Sequence, residues 1–373
     1  MKLVFAAGGT AGHINPALAV ASAIRERYPE TSILFIGTAD HMESSLVPAA
    51  GFAFKTIRIS GFRRSFSPGA IVHNVKTVFY MLTASLQSRS ILRDFAPDAV
   101  IGFGGYVSGP VLETAAKMHI PTCIHEQNAY PGITNKSLAK LVDRVMLTNE
   151  DAAQRMTCRN KPVVTGLPVR GEILRADRRA ARIKLGIPEG KLLVLSTGGS
   201  LGAKPINDAM LDVLIRHAED KSCYHIHSAG KNNPEMFDAL EKHGFKNCDN
   251  VVVRQYIDNM DECLAAADLV IGRAGASTIS ELLAMGKPSV LIPSPYVAEN
   301  HQYHNAMSLV KRGAAIVIEE KELTSDKLLE TIDTLVAHPS KLQQMGQAAA
   351  AMAKTDACEE ICRVILSLAQ KEK

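Results

Sequence analysis

A glycine-rich turn near the start of the chain combines groups that could bind an anion with a group that could move a proton. Residues 8–13 read Gly-Gly-Thr-Ala-Gly-His and follow the apolar residues 3–7. This order predicts a strand, a turn and a helix with Pro16 at its first position. The helix N-terminus and the bare amides would favour negative charge, with the imidazole of His13 beside them. A turn that binds nothing is the alternative.

Three further glycine-bearing turns follow predicted strands and precede predicted helices. Residues 194–200 repeat the pattern of residues 4–10, an apolar strand followed by Gly-Gly and a hydroxyl residue. Residues 102–110 read Gly-Phe-Gly-Gly-Tyr-Val-Ser-Gly-Pro, and residues 272–281 read Gly-Arg-Ala-Gly-Ala-Ser-Thr-Ile-Ser-Glu. Four such turns exceed what packing alone demands, so we expect the fourth to bind an anion through its helix N-terminus.

Several polar residues near these turns admit a structural as well as a chemical role. Ser277 or Thr278 could cap the helix of the fourth turn, with Glu281 completing a capping box. Residues 125–128, His-Glu-Gln-Asn, end a predicted strand at the edge where parallel sheets bind ligands, and a hydrogen-bonded loop is the alternative there. Asn300 precedes another predicted helix and could be an ordinary N-cap.

Alternating strands and helices must position these turns. Short β-rich runs alternate with helical runs such as residues 205–218 and 325–338, which predicts parallel sheets covered on both faces. The repeated turn, half a chain from the first, predicts an α/β protein of two doubly wound domains whose glycine turns face a central cleft. The expected domains are residues 1–166, with a last helix of about 355–373 packing back on them, and residues 167–354.

Composition excludes several classes of protein. The 373 residues carry 42 basic and 38 acidic side chains, so nucleic acid is not an expected partner. The seven cysteines are scattered without a C-x-x-C pair, which predicts neither a disulfide framework nor a zinc site and favours a reducing cytoplasm. Residues 3–24 lack charged side chains, but Gly8, Gly9, His13, Asn15 and Pro16 interrupt them, unlike a signal peptide.

Two sequence motifs that the chain lacks narrow further the reactions that it could catalyse. The chain has no Asp-x-Asp pair, so helix N-terminal amides rather than a metal would have to hold a diphosphate. None of the glycine turns has the G-x-G-x-x-G spacing with an acidic residue about 20 positions on, which disfavours a dinucleotide oxidoreductase. We therefore expect no metal and no cofactor.

One segment is depleted of acidic residues. Between Glu43 and Asp94 the chain has no Asp or Glu, whereas basic residues and an apolar set that includes Phe62, Phe66 and Phe79 are present. Basic residues beside an apolar face suit an anionic membrane surface. Helices buried in the core are the alternative. The basic residues are Lys55, Arg58, Arg63, Arg64, Lys76, Arg89 and Arg93.

Taken together, the motifs resemble those of the MurG family, peripheral-membrane N-acetylglucosaminyltransferases that convert lipid I into lipid II in peptidoglycan synthesis. The resemblance spans nearly the whole chain and rests on the order of the motifs. It implies a GT-B fold, UDP-GlcNAc held mainly by the second domain, lipid I as acceptor and a location at the cytoplasmic face of the bacterial membrane. The matching segments are residues 8–13, 59–61, 104–110, 125–128, 134–136, 166–170, 198–203, 275–281 and Gln302.

The resemblance also assigns residues to sites. Ile257 would lie against uracil, and Glu281 would bond the ribose hydroxyls. Ala11 stands where the family usually has glycine, and a left-handed backbone there would be costly for alanine. Other donor contacts would come from Ser200, Ala276, Ser277, Thr278, Ile279, Ser280 and Gln302, and, completing the site, from Arg170, Asn128, Thr10, Ala11 and Gly12. The acceptor diphosphate would be held by Gly9, Gly104, Gly105 and Tyr106.

The expected reaction is an inverting, metal-independent transfer to the C4 hydroxyl of the acceptor's MurNAc. His13 is the first candidate for general base because an imidazole ordinarily exchanges protons near neutral pH, and Glu126 is the second. His13 could instead only hydrogen-bond the acceptor. The alternatives are a UDP-GlcNAc 2-epimerase, another GT-B glycolipid glycosyltransferase, or a nucleotide-binding module without catalysis.

Overall fold

A computed structural model of the chain describes residues 1–59 and 67–370, with side chains except at residues 68, 70–79, 81 and 82. These residues form two compact units. The first is Met1–Pro168 with Asp356–Lys373, and the second is Val169–Thr355. Residues 60 and 61 of the 59–61 motif lie outside the described residues. So do Phe62, Arg63, Arg64 and Phe66 of the acid-free segment.

The described part of the first unit contains a parallel sheet of seven strands. Its order is β3-β2-β1-β4-β5-β6-β7, so the chain starts in the centre, builds to one edge and then crosses to the other side. Leu3, Val4, Phe5 and Ala6 of the central strand are fully buried because helices cover both faces of the sheet. The strands are β1 (Lys2–Ala6), β2 (Ser32–Gly37), β3 (Ala53–Thr56), β4 (Ala99–Gly102), β5 (Thr122–Glu126), β6 (Arg144–Leu147) and β7 (Val163–Val164).

The helices of this unit connect successive strands, and the last helix of the chain returns to it. That C-terminal helix packs on the first helix, and its Ile361, Ile365 and Leu368 join the core around Phe5 and Ile14. The helices are α1 (Ala11–Arg27), α2 (Glu43–Ala49), α3 (Pro68–Phe95), α4 (Ser108–Lys117), α5 (Ile133–Leu138) and the C-terminal α15 (Ala357–Ala369), with a 3-10 segment at Glu150–Arg155.

The second unit repeats the arrangement. Its parallel sheet has the order β10-β9-β8-β11-β12-β13, so β8 takes the central position that β1 has in the first unit. The predicted fold class, two doubly wound α/β domains, is confirmed. The strands are β8 (Leu193–Thr197), β9 (Tyr224–Ser228), β10 (Val251–Arg254), β11 (Leu269–Gly272), β12 (Ser289–Leu291) and β13 (Ala315–Val317).

The helices of the second unit precede its first strand, connect its strands and follow the last one. They are α6 (Gly171–Arg175), α7 (Arg178–Lys184), α8 (Lys204–Asp220), α9 (Glu235–Lys242), α10 (Met260–Ala266), α11 (Ala276–Ala284), α12 (His301–Val310), α13 (Ser325–Val336) and α14 (Pro339–Ala351), with 3-10 segments at Ala298–Asn300 and Glu320–Glu322.

The start of α1 differs from the prediction. Thr10 is the N-cap, and its carbonyl accepts from His13 N at 3.0 Å and Ile14 N at 3.2 Å, so the helix begins at Ala11 and Pro16 lies inside it. Ala11 is therefore a helical residue and not one of the positive-φ positions, so the strain considered for alanine there does not arise.

Candidate functional site

The first and third glycine turns meet in the first unit. Gly105 has φ +81°, and a side-chain carbon added to it would lie 2.3 Å from Gly8 O. One added to Gly104 would lie 2.9 Å from His13 Cδ2 and 3.1 Å from its Nε2. Only glycines allow the two turns to approach this closely. The approach brings His13, Gly8, Gly104 and Gly105 together, whereas Tyr106 beside them is exposed.

The His13 ring is oriented by its own turn. His13 Nδ1 lies 3.1 Å from Gly8 O and 3.3 Å from Thr10 Oγ1. Because a carbonyl can only accept, Nδ1 carries the proton of that bond, and Nε2 is then the ring nitrogen able to take up a proton. The ring is half-buried. This geometry suits the base role predicted for His13.

Two amides predicted to hold the acceptor diphosphate already have partners. Gly9 N donates to Glu43 Oε2 at 3.0 Å, and Gly104 N donates to Ser108 Oγ at 3.1 Å. Ser108 Oγ lies in turn 3.0 Å from Ala6 O, within the core of the unit. The N–H groups of Gly9 and Gly104 are therefore engaged in holding the two turns in place.

Glu43 was not anticipated from the sequence. Its side chain is fully buried and also accepts from Thr38 N at 3.1 Å and Thr38 Oγ1 at 2.7 Å. Burial alone would raise the pKa of Glu43, but these hydrogen bonds and that from Gly9 outweigh it and lower the pKa below its ordinary value. The carboxylate thus fixes the first glycine turn from the first residue of α2.

We expect Glu43→Gln to weaken the acid dependence of stability. Because the pKa of Glu43 is lower in the folded than in the unfolded chain, its contribution is present at neutral pH and is lost as the pH falls below 4.5 through the lowered value. Urea midpoints measured across this range should fall more steeply for the wild type than for E43Q. The exposed Glu330→Gln should behave as wild type, and equal slopes for E43Q and wild type would contradict this role.

Residues 125–128 form a buried network at the end of β5. Glu126 accepts from Asn128 N at 2.9 Å, Gly132 N at 3.2 Å and Asn135 Nδ2 at 2.8 Å. Burial raises the pKa of Glu126, although these bonds oppose the rise. His125 Nε2 lies 2.8 Å from Gly166 O, and burial lowers the pKa of His125 to about 4. The geometry therefore makes Glu126 a support for the Asn128 loop and favours His13 over it as base.

The second unit contains a cavity of about 1040 Å³ beyond the end of β8. Ser200 and Gln302, both predicted donor contacts, line it, and Ser294 N donates to Gln302 Oε1 at 2.9 Å. Arg273 lines it too, with Nη2 2.6 Å from Glu320 Oε2 in a largely buried ion pair. Ser294 and Glu320 also line the cavity, and the rest of the lining comprises Gly198, Gly199, Leu201, Gly202, Ala203, Lys204, Pro205, Asp208, Ala209, Tyr296, Leu323, Thr324 and Ser325.

The fourth turn does not form the capping box considered for it. The N-cap of α11 is Gly275, so Ser277 and Thr278 lie inside the helix. Glu281 Oε1 instead accepts from Arg170 Nε at 3.1 Å, with 16% of the Glu281 side chain exposed. Burial raises the pKa of Glu281, and the Arg170 guanidinium opposes that rise. The carboxylate is thus oriented by a guanidinium and keeps lone pairs for further donors.

The other predicted donor residues of the second unit are not among those that line the cavity. Ile257 is 3% exposed and packs in the core, so little of this residue is accessible to a base. Ile279 is also buried, whereas Ala276, Ser277, Thr278 and Ser280 are half-buried on α11. Sequence reasoning missed Arg273, although it stands directly after β11 in the fourth turn.

Two parallel-sheet units, each with a glycine turn after its central strand, form the GT-B fold. Residues 3–147 match the glycosyltransferase family 28 N-terminal domain, and residues 193–361 match the glycosyltransferase family 28 C-terminal domain. The chain belongs to the MurG family, the UDP-N-acetylglucosamine–N-acetylmuramyl-(pentapeptide) pyrophosphoryl-undecaprenol N-acetylglucosamine transferases. The predicted family is thereby confirmed.

Individual relatives support this assignment. The chain is 47% identical to such a transferase from Acetivibrio thermocellus, over 98% of this chain and 97% of the relative. It is 39% identical to one from Desulforamulus reducens, over the whole of both chains. The crystal structure of Acinetobacter baumannii MurG matches with a TM-score of 0.81 and 28% identity, covering 98% and 99% of the two chains. A UDP-GlcNAc 2-epimerase from Neisseria meningitidis shares the fold, with a TM-score of 0.66 and 14% identity.

Proposed function

We propose that the protein transfers GlcNAc from UDP-GlcNAc to the MurNAc C4 hydroxyl of lipid I, giving lipid II for peptidoglycan synthesis. The observation that carries this proposal is full-length identity of 39–47% to transferases named for that reaction. The donor would bind the second unit, and the lipid-linked acceptor would bind the first, around His13. Transfer of labelled GlcNAc to a lipid I analogue tests the proposal.

The donor assignment rests on the cavity and on Glu281. The cavity borders the repeated glycine turn and the guanidinium of Arg273, which suit a diphosphate. Glu281, held by Arg170, offers carboxylate oxygens to the ribose hydroxyls. In donor binding, a carboxylate would therefore hold the ribose and backbone amides would hold the phosphates.

We expect Glu281→Gln to raise KM for UDP-GlcNAc by roughly 10- to 100-fold, because a hydrogen bond to a charged acceptor is lost. The kcat should change much less, since the ribose is remote from the reacting carbon. Calorimetric titration with UDP gives the affinity without requiring turnover. Exposed Glu330→Gln serves as the matched control, and unchanged UDP affinity in E281Q would remove Glu281 from the donor site.

The proposed reaction is inverting and uses no metal. His13 Nε2 takes the proton of the C4 hydroxyl as its oxygen forms a bond to the anomeric carbon, on the face opposite UDP. The bond between that carbon and the UDP oxygen breaks, and UDP leaves with the electron pair. Amides at the start of α11 and the Arg273 guanidinium would stabilise the charge that develops on the diphosphate.

The 2-epimerase alternative has weaker support. Its similarity of 14% identity reflects the fold alone. An epimerase acts on UDP-GlcNAc without an acceptor, so incubation with the donor alone separates the two activities. A binding module without catalysis would retain UDP affinity but give no product with any lipid acceptor.

We also propose that the protein works at the anionic cytoplasmic face of the membrane. No helix of the described residues is long and apolar enough to cross a bilayer. The basic, acid-free segment is the feature that suits an anionic surface.

The protein is expected to co-sediment with vesicles containing anionic lipid, and less so at high salt. Arg63→Glu and Arg64→Glu should each weaken binding roughly 30-fold, because each changes the surface charge by two units at about 1 kcal/mol per unit. Lys341→Glu, an exposed change in the second unit, should have little effect. Equal binding to neutral vesicles would contradict the electrostatic part of this proposal.

A further inference from the structure

Three metal-ligating side chains converge in the core of the second unit, away from the donor cavity. His217 Nδ1 lies 2.7 Å from His225 Nε2, and Cys223 Sγ lies 3.3 Å and 3.2 Å from those two nitrogens. All three residues are buried. His217 is in the last turn of α8, Cys223 directly precedes β9, and His225 is its second residue.

We infer that His217, Cys223 and His225 form a binding site for a thiophilic cation of the zinc class. One thiol and two imidazoles are the donors that zinc prefers, whereas magnesium and calcium prefer oxygen. Tetrahedral zinc, with bonds of about 2.1 Å to nitrogen and 2.3 Å to sulfur, places its ligand atoms roughly 3.3–3.6 Å apart. The sulfur is already near that separation, so only the two imidazoles would have to open.

The surroundings orient the ligands. His217 Nε2 lies 3.0 Å from Asp333 Oδ1 on α13, which fixes the proton on Nε2 and turns the Nδ1 lone pair towards Cys223 and His225. Asn250 Nδ2 donates to His217 O at 2.6 Å and to Cys223 O at 3.2 Å, tying the end of the helix to the start of the strand. Carboxylate–imidazole pairs of this kind are the usual support of metal-bound histidines.

The charges of a bound cation and of the groups around it would cancel. A divalent cation would be neutralised by the Cys223 thiolate and the Asp333 carboxylate, which removes most of the cost of a buried charge. The Cys223 thiol would release its proton to solvent as the cation binds. Asp333 is about half exposed, so it is the residue that separates the buried cluster from solvent on this side.

The position of the cluster gives the cation a structural role. It lies at the start of β9, whereas the glycine turn at the cavity follows the end of the neighbouring parallel strand β8. The cluster and the cavity therefore lie at opposite ends of the parallel strands of this sheet. A cation here would join α8, β9 and α13 and raise stability without touching the transferred sugar.

Zinc titration of the full-length, chelator-treated protein tests the inference. We expect one Zn²⁺ per chain and a raised Tm in the wild type, with affinity at least about 100-fold lower in Cys223→Ser. Cys263→Ser, which changes another buried cysteine of this unit, should bind as wild type. Asp333→Asn, a change at the surface, should weaken binding about 10- to 100-fold.

Cobalt provides a second, spectroscopic readout. Co²⁺ bound by the wild type should give the near-ultraviolet charge-transfer band of a thiolate ligand, and this band should be missing from C223S. Failure of the wild type to bind Zn²⁺, or equal affinity in C223S, would show a hydrogen-bonded cluster only and would overturn the inference. Neither the zinc titration nor the cobalt spectrum depends on sugar transfer.

Discussion

Replacing His13 by alanine is expected to lower kcat for sugar transfer by about 10²–10⁴-fold, the usual contribution of a positioned general base. The expectation rests on the Nδ1 contact with Gly8 O at 3.1 Å, which leaves Nε2 to take the proton of the attacking hydroxyl. Rates are to be measured with both substrates saturating, so that a change in binding is not mistaken for a change in chemistry.

Two controls separate proton transfer from hydrogen bonding at this position. His13→Gln keeps a hydrogen-bonding group but cannot act as a base, so it should be nearly as impaired as H13A and should lose the acid limb of the pH–rate profile. His41→Ala, an exposed change in the same unit, should be close to wild type. A near-normal kcat in H13A would exclude His13 as the base.

Replacing Gly202 by alanine is expected to destabilise the second unit by roughly 2–5 kcal/mol and to abolish donor binding. Gly202 has φ +84°, and an added side-chain carbon would lie 2.1 Å from Ala229 O and 2.4 Å from Asn233 Nδ2. Backbone atoms must therefore move, and the turn that borders the cavity moves with them. Thermal unfolding and UDP titration measure the two consequences.

Gly199 gives a matched control within the same turn. It also has a positive φ, +94°, but nothing lies within 4 Å of an added side-chain carbon. Gly199→Ala should therefore show only the backbone strain, about 1–3 kcal/mol. A Tm for G202A equal to that of G199A would contradict the close approach of Gly202 to Ala229.

The sheets and the glycine turns could be predicted because their signals are local. Strands such as Ser32–Gly37 and Leu269–Gly272 are short, mostly apolar runs, which is the local pattern that predicts a strand. The repetition of one strand–turn pattern half a chain apart predicted two similar sheets. Motif order then predicted the family, which no single turn could have done.

Features that depend on tertiary contacts could not be predicted from the sequence. Glu43 reaches Gly9 across 34 positions, and nothing in the local sequence connects the two. Pro16 was misplaced because Thr10 O starts the helix one turn earlier than proline statistics indicate. The contact between Arg170 and Glu281 was not predicted, because spacing alone suggested a capping box for Glu281.

Part of the His217–Cys223–His225 cluster could have been predicted from the sequence. Cys223 and His225 are two positions apart and so share one face at the start of a strand. A search restricted to paired cysteines passes over this spacing. The contribution of His217 depends on how the end of α8 packs against β9, which periodicity does not predict.

Transfer of labelled GlcNAc from UDP-GlcNAc to a lipid I analogue, with and without EDTA, tests the central claim most directly. The disaccharide-bearing lipid product should form at similar rates in both, and UDP-GlcNAc incubated alone should stay unchanged. Absence of this product, or formation of the 2-epimer without acceptor, would contradict the proposed function. A requirement for a divalent cation that is also found in Cys223→Ser would contradict its mechanism.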